Sequence, residues 1–384
     1  EGARMADPAR THDSAELGNH VVRGGAGGLV YENHPGTAQD GRGTALIHTH
    51  RLSTSMQRVS IWYGLDRIPE HLAAGGTVVT IGVFDGVHRG HQELLQRAVE
   101  LARERGVPSV MFTFDPHPTV VFRPDAVPPL LSSVRRRAEL AHEYGIDHVV
   151  VVSFTKEIAS WSPEEYVDHV LVELLNAKAV VVGDNFTFGH KAAGTSETLQ
   201  QLGAARGMRV DVLGLLEDGD HVVCSTWIRQ ALAEGNVDGA NEALGRNFRV
   251  AGEVTHGAGR GGRALGFPTA NLYFAEKFAL PADGVYAGYV TVLPGHGISA
   301  GATVGTMPVG ERLPAAISVG TNPTFGHEPR SVESFILDHD ADLYGLDIAV
   351  EFVHHVRGME TYNSLEELIE AIGRDVTETR KALG

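Results

Sequence analysis

The sequence predicts two folded parts: an α/β domain built on a parallel sheet and, after it, a small antiparallel β-barrel that ends in one helix. Three observations carry this prediction. The chain has 384 residues, whereas a single hydrophobic core usually stops growing beyond about 250–300 residues. Apolar runs alternate with helical stretches in the first half. In the second half, short runs with period-2 alternation are broken by Gly and Pro.

The segment before Met56 differs from the rest of the chain. Residues 1–55 are rich in Gly, His and Thr and show neither helical nor strand periodicity, which is typical of disorder. His48 and His50 could bind a metal, but two histidines without further ligands are more often an accident of composition. Because Met56 opens the patterned sequence, we interpret residues 1–55 as a disordered extension without a functional role.

Residues 56–240 are predicted to form the first domain, with a Rossmann-like parallel sheet, because strands that alternate with helices indicate such a sheet. One helix is expected to begin near Gly90 and another after the N-cap Ser162. Two further helices, Thr226–Ala233 and Val237–Leu244, lead away from the sheet. The predicted strands are Val78–Phe84, Val107–Phe114, His148–Phe154, Ala179–Val182 and Met208–Leu213.

Residues 241–384 are predicted to form the second domain. Their pattern is typical of an antiparallel barrel or sandwich. An amphipathic helix, Ser364–Leu383, closes the chain, and Ser364 and Glu367 have the spacing of a capping box. The predicted strands are Phe248–Val254, Phe267–Phe274, Val285–Val292, Ala315–Val319, Val332–Leu337 and Ile348–Val353.

Composition excludes several classes of function. A net charge of −16 disfavours binding to a nucleic-acid backbone, and we interpret the longest basic cluster, Arg135–Arg137, as the solvated side of a helix. No apolar run approaches the roughly 20 residues that span a bilayer. The single cysteine, Cys224, fits a reducing compartment, and the start of the chain lacks the layout of a signal peptide. We therefore expect a cytoplasmic protein without nucleic-acid or membrane partners.

A phosphate-binding motif follows the first predicted strand. The segment Gly82–His91 reads Gly-Val-Phe-Asp-Gly-Val-His-Arg-Gly-His and runs into a helix. A helix N-terminus presents unpaired N–H groups, and glycines let the backbone approach an anion. His88 and His91 could both donate to phosphate oxygens in a transition state. An isolated HxGH could equally be a glycine turn with two surface histidines, but its place at a strand–helix junction favours phosphate binding.

A second candidate site lies in the predicted barrel. Gly257–Gly266 is a glycine-dense loop that could wrap phosphates, although most such loops are flexible turns. Thr269 and Asn271 are two residues apart, so on a strand they point the same way and could share one Mg²⁺–nucleotide. Glu333 lies among apolar residues on both faces of its strand, where burial would raise the pKa of its carboxyl towards a value useful for accepting a proton.

Together these motifs resemble the bacterial bifunctional riboflavin kinase/FMN adenylyltransferases. Gly82–His91 resembles the signature of the HxGH nucleotidyltransferases, and glycine loop plus Pro-Thr-Ala-Asn matches the riboflavin kinase signature. The resemblance covers residues from about Met56 to the C-terminus. The other motifs that carry it are Phe114–Pro118, Val182–Gly189 and Ser225–Arg229.

The resemblance implies a nucleotide and flavin site in the first domain. His88 and His91 would bind the ATP phosphates, and Arg229 would help to close over the triphosphate. Each position has a plainer alternative: Arg229 alone is more often a solvated helix charge, Asn185 could simply make a turn, and Asp115 could end a strand. The further residues implied for ATP and phosphate are Gly82, Phe84, Asp85, Gly90, Asn185, Ser225 and Thr226, and those implied for the flavin pocket are Asp115, His117 and Pro118.

In the second domain the resemblance implies a kinase site. Glu333 would be the catalytic base that deprotonates the ribityl hydroxyl. The alternative is an exposed glutamate on an edge strand, which the sequence alone would favour because unpaired buried carboxylates are rare. Thr269 and Asn271 would hold Mg²⁺, and Tyr286 would lie on the flavin side. The glycines implied for ATP binding are Gly257, Gly259 and Gly266.

The implied function is synthesis of FAD from riboflavin, FMN and ATP. The second domain would phosphorylate riboflavin to FMN, and the first would adenylylate FMN to FAD with release of pyrophosphate. The FMN phosphate is mostly dianionic at pH 7, because the second pKa of such a monoester is about 6, and needs no base to attack ATP. Two alternatives are a nucleotidyltransferase for another cofactor precursor and a flavin sensor that has lost catalysis.

We predict that a chain beginning at Met56 folds and keeps both activities, because the preceding residues lack the pattern of a packed core. Thermal unfolding and both reaction rates, compared with those of the full chain, test this. A large loss in either rate would mean that residues 1–55 contribute to a site.

Overall fold

The computed structural model describes residues 60–69, 72, 74–219, 221–256, 267–274, 278–321 and 330–384. Residues 57–384 belong to one compact unit. Two predictions lie outside the described residues: the extension 1–55 and the glycine loop with Gly257, Gly259 and Gly266.

The first half contains a six-stranded sheet in which every strand pairs in parallel with its neighbours, as predicted. The strand order is β1-β4-β3-β2-β5-β6. The order reverses beside β2, since the chain moves from β2 to one side of the sheet and then returns to the other. The strands are β1 (Ser60–Tyr63), β2 (Thr77–Ile81), β3 (Ser109–Phe114), β4 (His148–Val152), β5 (Ala177–Gly183) and β6 (Arg209–Leu213).

Helices cover both faces of this sheet, because successive residues of a buried strand point to opposite sides. Val78 joins a core with Leu95 and Ala98, whereas Val79 joins a core with Tyr166 and Leu171. The helices of this half are α1 (Arg89–Arg105), α2 (Val134–Glu143) and α3 (Ser196–Ala205), together with Pro163–Tyr166, which continues as the π-helix Val167–Leu174.

Two details differ from the sequence-based expectations. The edge strand β1 was not predicted, because four residues at an edge carry too little apolar pattern. The interpretation of Arg135–Arg137 as a solvated face is wrong for Arg137, which is 1% exposed. Its guanidinium donates to the carbonyls of Val83 (2.9 Å) and Phe114 (3.2 Å) and thereby joins the ends of β2 and β3.

The second half is an antiparallel sheet of six strands in the order β7-β12-β9-β10-β11-β8. The Thr255 N–H donates to the Asn271 carbonyl (3.0 Å) and so links the segment after β7 to β8, which brings the two edges of the sheet together as in a barrel. The strands are β7 (Phe248–Glu253), β8 (Ala270–Leu272), β9 (Gly284–Val292), β10 (Leu313–Gly320), β11 (Ser331–Ile336) and β12 (Asp347–Gly358).

Two helices between the sheets pack into the barrel core. They are α4 (Ser225–Ala233) and α5 (Val237–Leu244), and both were predicted. Ile228 and Leu232 of α4 share one hydrophobic cluster with Tyr286 and Phe352 of the barrel. The predicted domain limits 56–240 and 241–384 stay predictions, but the apolar side of α4 belongs to the core of the second half.

The chain ends in α6 (Leu365–Leu383), as predicted. The Ser364 hydroxyl accepts from the Glu367 N–H (3.2 Å), but the Glu367 carboxylate accepts from the N–H of Asn363 rather than that of Ser364. The predicted capping box is therefore only half formed. Arg357 of β12 makes two 2.7 Å hydrogen bonds to the buried carboxylate of Asp375 and ties this helix to the sheet.

Short elements complete the described chain, and within it no helix is long and apolar enough to cross a bilayer. They are the helical turns Leu65–Arg67, Thr119–Phe122, Pro124–Ala126, Ile158–Ser160 and His190–Ala192, and the paired short strands Thr187–Phe188 with Gly194–Thr195, Glu217–Asp218 with His221–Val222, and Thr303–Val304 with Met307–Pro308.

Candidate active sites

The HxGH segment forms a tight turn between β2 and α1. The strand ends at Ile81, so the last residues of the predicted strand belong to the turn. His88 is the N-cap of α1, and its Nδ1 accepts from the His91 N–H (3.4 Å). The two imidazole rings stack with their centroids 3.6 Å apart. The turn therefore brings together the two histidines that the sequence singled out.

This turn is held in an unusual backbone conformation. Phe84, Gly86 and Val87 have positive φ angles of 53°, 82° and 43°. Left-handed backbone is unfavourable for Phe and especially for β-branched Val, and it persists only where the surroundings impose it. Gly86 also could not carry a side chain, since a Cβ would lie 2.9 Å from the Leu131 side chain.

The Asp85 carboxylate accepts its hydrogen bonds from other groups of the protein. Its carboxylate is 2% exposed and accepts from the N–H groups of Leu131 and Ser132, each at 3.0 Å. Arg229 donates to the same carboxylate through Nη2 at 2.5 Å. Asp85, predicted to bind ATP or phosphate, is thus placed where it fixes the turn and Arg229.

The start of α4 lies directly against the turn. The Ser225 hydroxyl donates to the Asp85 carbonyl (2.8 Å), and Thr226 beside it is exposed. Arg229, one turn further along α4, also donates through Nε to the Pro129 carbonyl (2.7 Å). The structure thus brings the predicted residues of α4 to the HxGH turn, although more than a hundred residues separate them in sequence.

Burial keeps the two histidines neutral. It lowers the pKa of His88 to about 4, with smaller effects from the positive charges of Arg246 and Arg229. It also holds the pKa of His91 well below its usual range, assisted by His88 and Arg137. At pH 7 each ring carries one N–H to donate, and positive charge at this site comes from arginines. Within the described chain, Nδ1 of His91 is buried and has no hydrogen-bond partner.

The loop after β3 is the second part of this site. Asp115 is exposed, and Nδ1 of His117 accepts from the Thr119 N–H (3.1 Å) in the short helical turn that follows Pro118. Burial lowers the pKa of His117, with opposing effects from the charges of Asp85 and Arg229. Sequence reasoning did not single out Phe122, which is 58% exposed beside this loop. An exposed aromatic ring of this kind is a surface on which a planar ligand could stack.

The loop after β5 is the third part. Asn185 is exposed in a turn where the Phe186 N–H donates to the Gly183 carbonyl (3.1 Å). Because β2 and β5 are neighbours at the point where strand order reverses, the loops after them meet at the position where open parallel sheets usually form a ligand crevice. Gly82 and Gly90 border the turn closely: a Cβ would lie 3.2 Å from the Phe84 ring and 3.4 Å from the His88 ring, respectively.

A second group of predicted residues meets in the barrel. Asn271 of β8 lies directly opposite Glu333 of β11, and directly opposed residues of antiparallel strands share a face. The Asn271 amide donates to the Thr269 carbonyl (3.2 Å), and Ser331 donates to a Glu333 carboxylate oxygen (3.3 Å). Glu333 is half-buried, and β11 lies between β8 and β10, so it is neither exposed nor on an edge strand.

Tyr286 is placed differently from its prediction. Its ring is fully buried in the barrel core, and its hydroxyl donates to the Ala282 carbonyl (2.7 Å). Burial raises the pKa of this hydroxyl to about 12. In this position Tyr286 supports β9 and the segment before it, and it does not face an open surface. An aromatic pair on the face of Glu333 is formed instead by Phe267 and Phe335, with centroids 5.2 Å apart.

The side-chain oxygens of Thr269 and Asn271 are suitable ligands for a hard cation that binds together with a nucleotide. Among the described residues no group of three or more His, Cys, Asp or Glu side chains could hold a metal on its own. Thr269 and Asn271 offer a hydroxyl and an amide oxygen. Mg²⁺ usually keeps several waters and takes only one or two protein ligands beside the substrate phosphates, so these two suffice.

Comparisons with known proteins match each half separately. A family model described as FAD synthetase matches residues 71–227, and one described as riboflavin kinase matches residues 244–383. A bifunctional riboflavin kinase/FMN adenylyltransferase of Escherichia coli (strain K12) is 35% identical over 80% of this chain and 93% of its own length. One from Pseudomonas fluorescens is 37% identical over 81% of this chain and 94% of its own length.

A solved structure has the same fold over most of the chain. The crystal structure of a protein described as a macrolide-efflux protein from Streptococcus pneumoniae aligns with a TM-score of 0.71 and 29% identity. The alignment covers 84% of this chain and 99% of that one.

The buried histidines predict a pH-dependent stability. The pKa of His88 is about 4 in the folded chain against an ordinary 6.5, so between these values the unfolded chain binds more protons. Stability that is present above pH 6.5 should therefore be lost as pH falls towards 4, by at most about 3 kcal/mol from His88. Urea unfolding of the wild type and His88→Asn at several pH values measures this. The wild type should lose more stability on acidification, and parallel curves would contradict the prediction.

Proposed function

Because the chain belongs to the family of bifunctional riboflavin kinase/FMN adenylyltransferases, we propose which of its residues carry out the two reactions. The enzyme phosphorylates riboflavin to FMN in its second half and adenylylates FMN to FAD in its first half, with ATP as the second substrate of both steps. ATP and flavins are therefore its small-molecule substrates.

We assign adenylyl transfer to the crevice at the HxGH turn. An oxygen of the FMN phosphate forms a bond to the α-phosphorus of ATP as the bond to the β-phosphate oxygen breaks and pyrophosphate leaves. His88 and His91 each donate one N–H to the phosphate oxygens, where negative charge gathers. The observation that carries this assignment is the stacked pair at the start of α1, with a buried imidazole nitrogen that has no partner in the described chain.

The surrounding groups orient the substrates. Arg229, held by Asp85, and the start of α4 present N–H donors beside the turn. Asn185 lies on the β5 side of the crevice, and His117 with Pro118 lies on the β3 side. The exposed ring of Phe122 provides an apolar surface for the flavin. Proximity and electrostatics are the whole requirement here, because the nucleophile is already ionised at pH 7.

We assign phosphoryl transfer to the face of the barrel that carries Glu333. The ribityl hydroxyl is an alcohol and must lose its proton as it attacks the γ-phosphorus of ATP, and Glu333 accepts that proton. Two contacts support this assignment: Asn271 lies directly opposite Glu333, and the Asn271 amide bonds to Thr269, the other residue proposed to hold the nucleotide.

Mg²⁺ is proposed at Thr269 and Asn271, where it would neutralise phosphate charge when bound with ATP. The Thr269 hydroxyl and the Asn271 amide orient the nucleotide, and the hydrogen bond between these two residues fixes their geometry. ATP binding by Gly257, Gly259 and Gly266 and a cytoplasmic location stay predictions from the sequence.

Replacing His88 or His91 by Ala should lower FMN adenylylation by about 10²–10³, the usual effect of losing one transition-state donor. Riboflavin phosphorylation should continue, so FMN accumulates. The measurement is chromatography of flavins after incubation of riboflavin with Mg-ATP. His169→Ala is the control, because His169 is an exposed histidine paired with Glu173. Wild-type FAD output from both site variants would refute the assignment.

Glu333→Gln should lower riboflavin phosphorylation by about 10²–10⁴, because the amide keeps the shape but cannot accept a proton. FMN adenylylation should stay near normal. Riboflavin and FMN are supplied separately, and FMN and FAD are quantified. Glu351→Gln is the matched control, since Glu351 is a carboxylate on β12 of the same sheet, does not lie on a strand next to β11, and pairs with Arg312. Equal losses in both reactions would indicate a structural role for Glu333, and full kinase activity would exclude it as the base.

A further inference from the structure

Arg246 connects the kinase half to the HxGH turn. It lies in the segment that matches riboflavin kinase, 244–383, yet its guanidinium donates to two carbonyls of the turn. Nη1 bonds to the Val87 carbonyl (2.9 Å), and Nη2 bonds to the Gly86 carbonyl. These carbonyls belong to the two peptides that immediately precede His88. The contact therefore crosses from one half to the backbone of the other half's site.

The backbone before Arg246 aims its side chain at the turn. Helix α5 ends at Leu244, and Gly245 follows in the left-handed conformation with φ 66°. A Cβ at Gly245 would lie only 3.3 Å from the Arg89 side chain, so α5 approaches α1 closely here. The Gln92 amide of α1 donates to the carbonyls of both Val87 (2.9 Å) and Leu244 (2.7 Å) and thereby ties the same groups together.

These bonds determine where the first N–H groups of α1 point. In a trans peptide the C=O and the N–H point in opposite directions. Because the Val87 carbonyl points towards Arg246, the N–H of His88 in the same peptide points away from Arg246. This N–H lies at the N-terminus of α1, the kind of position at which proteins bind anions. The positive φ angles of Phe84 and Val87 need such external support.

We propose that Arg246 is a positioning residue for adenylyl transfer, contributed by the kinase half. It holds the Gly86 and Val87 peptides so that His88, His91 and the start of α1 face the triphosphate. This inference rests on the assignment of adenylyl transfer to the HxGH turn. It makes the first reaction depend on a residue of the second half, whereas the kinase site has no such dependence on Arg246.

The pKa of His88 gives a second test of the role of Arg246, independent of the reaction rates. Burial lowers the pKa of its guanidinium to about 10, so it stays protonated at pH 7. In the described chain no carboxylate pairs with it, and its hydrogen-bond acceptors are all backbone carbonyls. Its charge contributes to the lowered pKa values of His88 and His91. Removing the charge should raise the pKa of His88, which NMR of the imidazole protons can measure.

The experiment compares Arg246→Met, Arg246→Lys and Arg249→Met in the full chain. Arg249 is the matched control, because it lies two residues further on, is also partly buried, and makes no side-chain hydrogen bond to a described residue. Riboflavin and FMN are supplied separately with Mg-ATP. Arg246→Met should lower kcat of adenylylation by up to about 100-fold, as expected from displaced reacting groups, with wild-type kinase rates.

Arg246→Lys separates geometry from charge. An ammonium is a compact donor that cannot bridge two carbonyls as a planar guanidinium does. We expect an intermediate loss of adenylylation while the pKa of His88 stays low, whereas Arg246→Met should raise that pKa as well. Gln92→Leu removes the other donor to Val87 and should also lower adenylylation selectively. If Arg246→Met does not fold, the Lys and Gln92 variants decide by the same comparison of rates.

Unchanged adenylylation in Arg246→Met, or equal losses of both activities with a lowered unfolding midpoint, would overturn the proposal. A loss of the same size in Arg249→Met would do so too. His88→Ala, measured in the same assay, separates this failure from failure of the site assignment. If His88→Ala is inactive in adenylylation and Arg246→Met is not, only the role of Arg246 falls. If His88→Ala is fully active, the assignment of the turn itself is wrong.

Discussion

The buried ion pair between Asp85 and Arg229 is the interaction on which the candidate site at the HxGH turn depends. The two side chains meet at 2.5 Å, and the remaining capacity of the carboxylate is taken by the N–H groups of Leu131 and Ser132. A carboxylate withdrawn from water is stable only when it is paired and hydrogen-bonded. The partners of the Asp85 carboxylate come from the loop with Leu131 and Ser132 and from α4. These bonds therefore fix the distances among the HxGH turn, that loop and α4, which are far apart in sequence. Loss of one partner of such a pair typically costs about 3–5 kcal/mol.

The same ion pair joins the two halves, because α4 belongs to both. Its first turn lies at the HxGH turn, where Ser225 donates to the Asp85 carbonyl. Its apolar side, with Ile228 and Leu232, is buried in the barrel core. A displacement of the barrel relative to the parallel sheet would therefore move Arg229 out of reach of Asp85. The proposed adenylyltransferase site thus depends on packing in the half that matches riboflavin kinase.

The elements that the sequence predicted correctly are those with a strong local signal. Buried parallel strands such as β2 and β3 are continuous apolar runs because both faces are covered, whereas β1 is a short edge strand without such a run. Local pattern also cannot tell a solvated arginine from Arg137, whose acceptors lie just after β2 and at the end of β3, twenty or more residues away. Alternation predicted which way Asn271 and Glu333 point, but only the register of β8 with β11 makes them opposite neighbours. The part played by Asp85 and the turn contacts of Arg246 depend on long-range contacts and have no sequence signature.

The two sites differ in their electrostatics as the two reactions require. At the HxGH turn, burial holds His88 and His91 neutral and leaves arginines as the source of positive charge. A neutral imidazole with a low pKa is a poor proton acceptor at pH 7 but still a hydrogen-bond donor, which suits a nucleophile that is already ionised. The proposed barrel site instead has a carboxylate, Glu333, opposite the amide of Asn271. A carboxylate base beside the dianionic FMN phosphate would repel it, whereas the ribityl alcohol needs a base to take its proton. Separate sites therefore let one chain meet two opposed chemical requirements, while the packing of α4 keeps those sites mechanically connected.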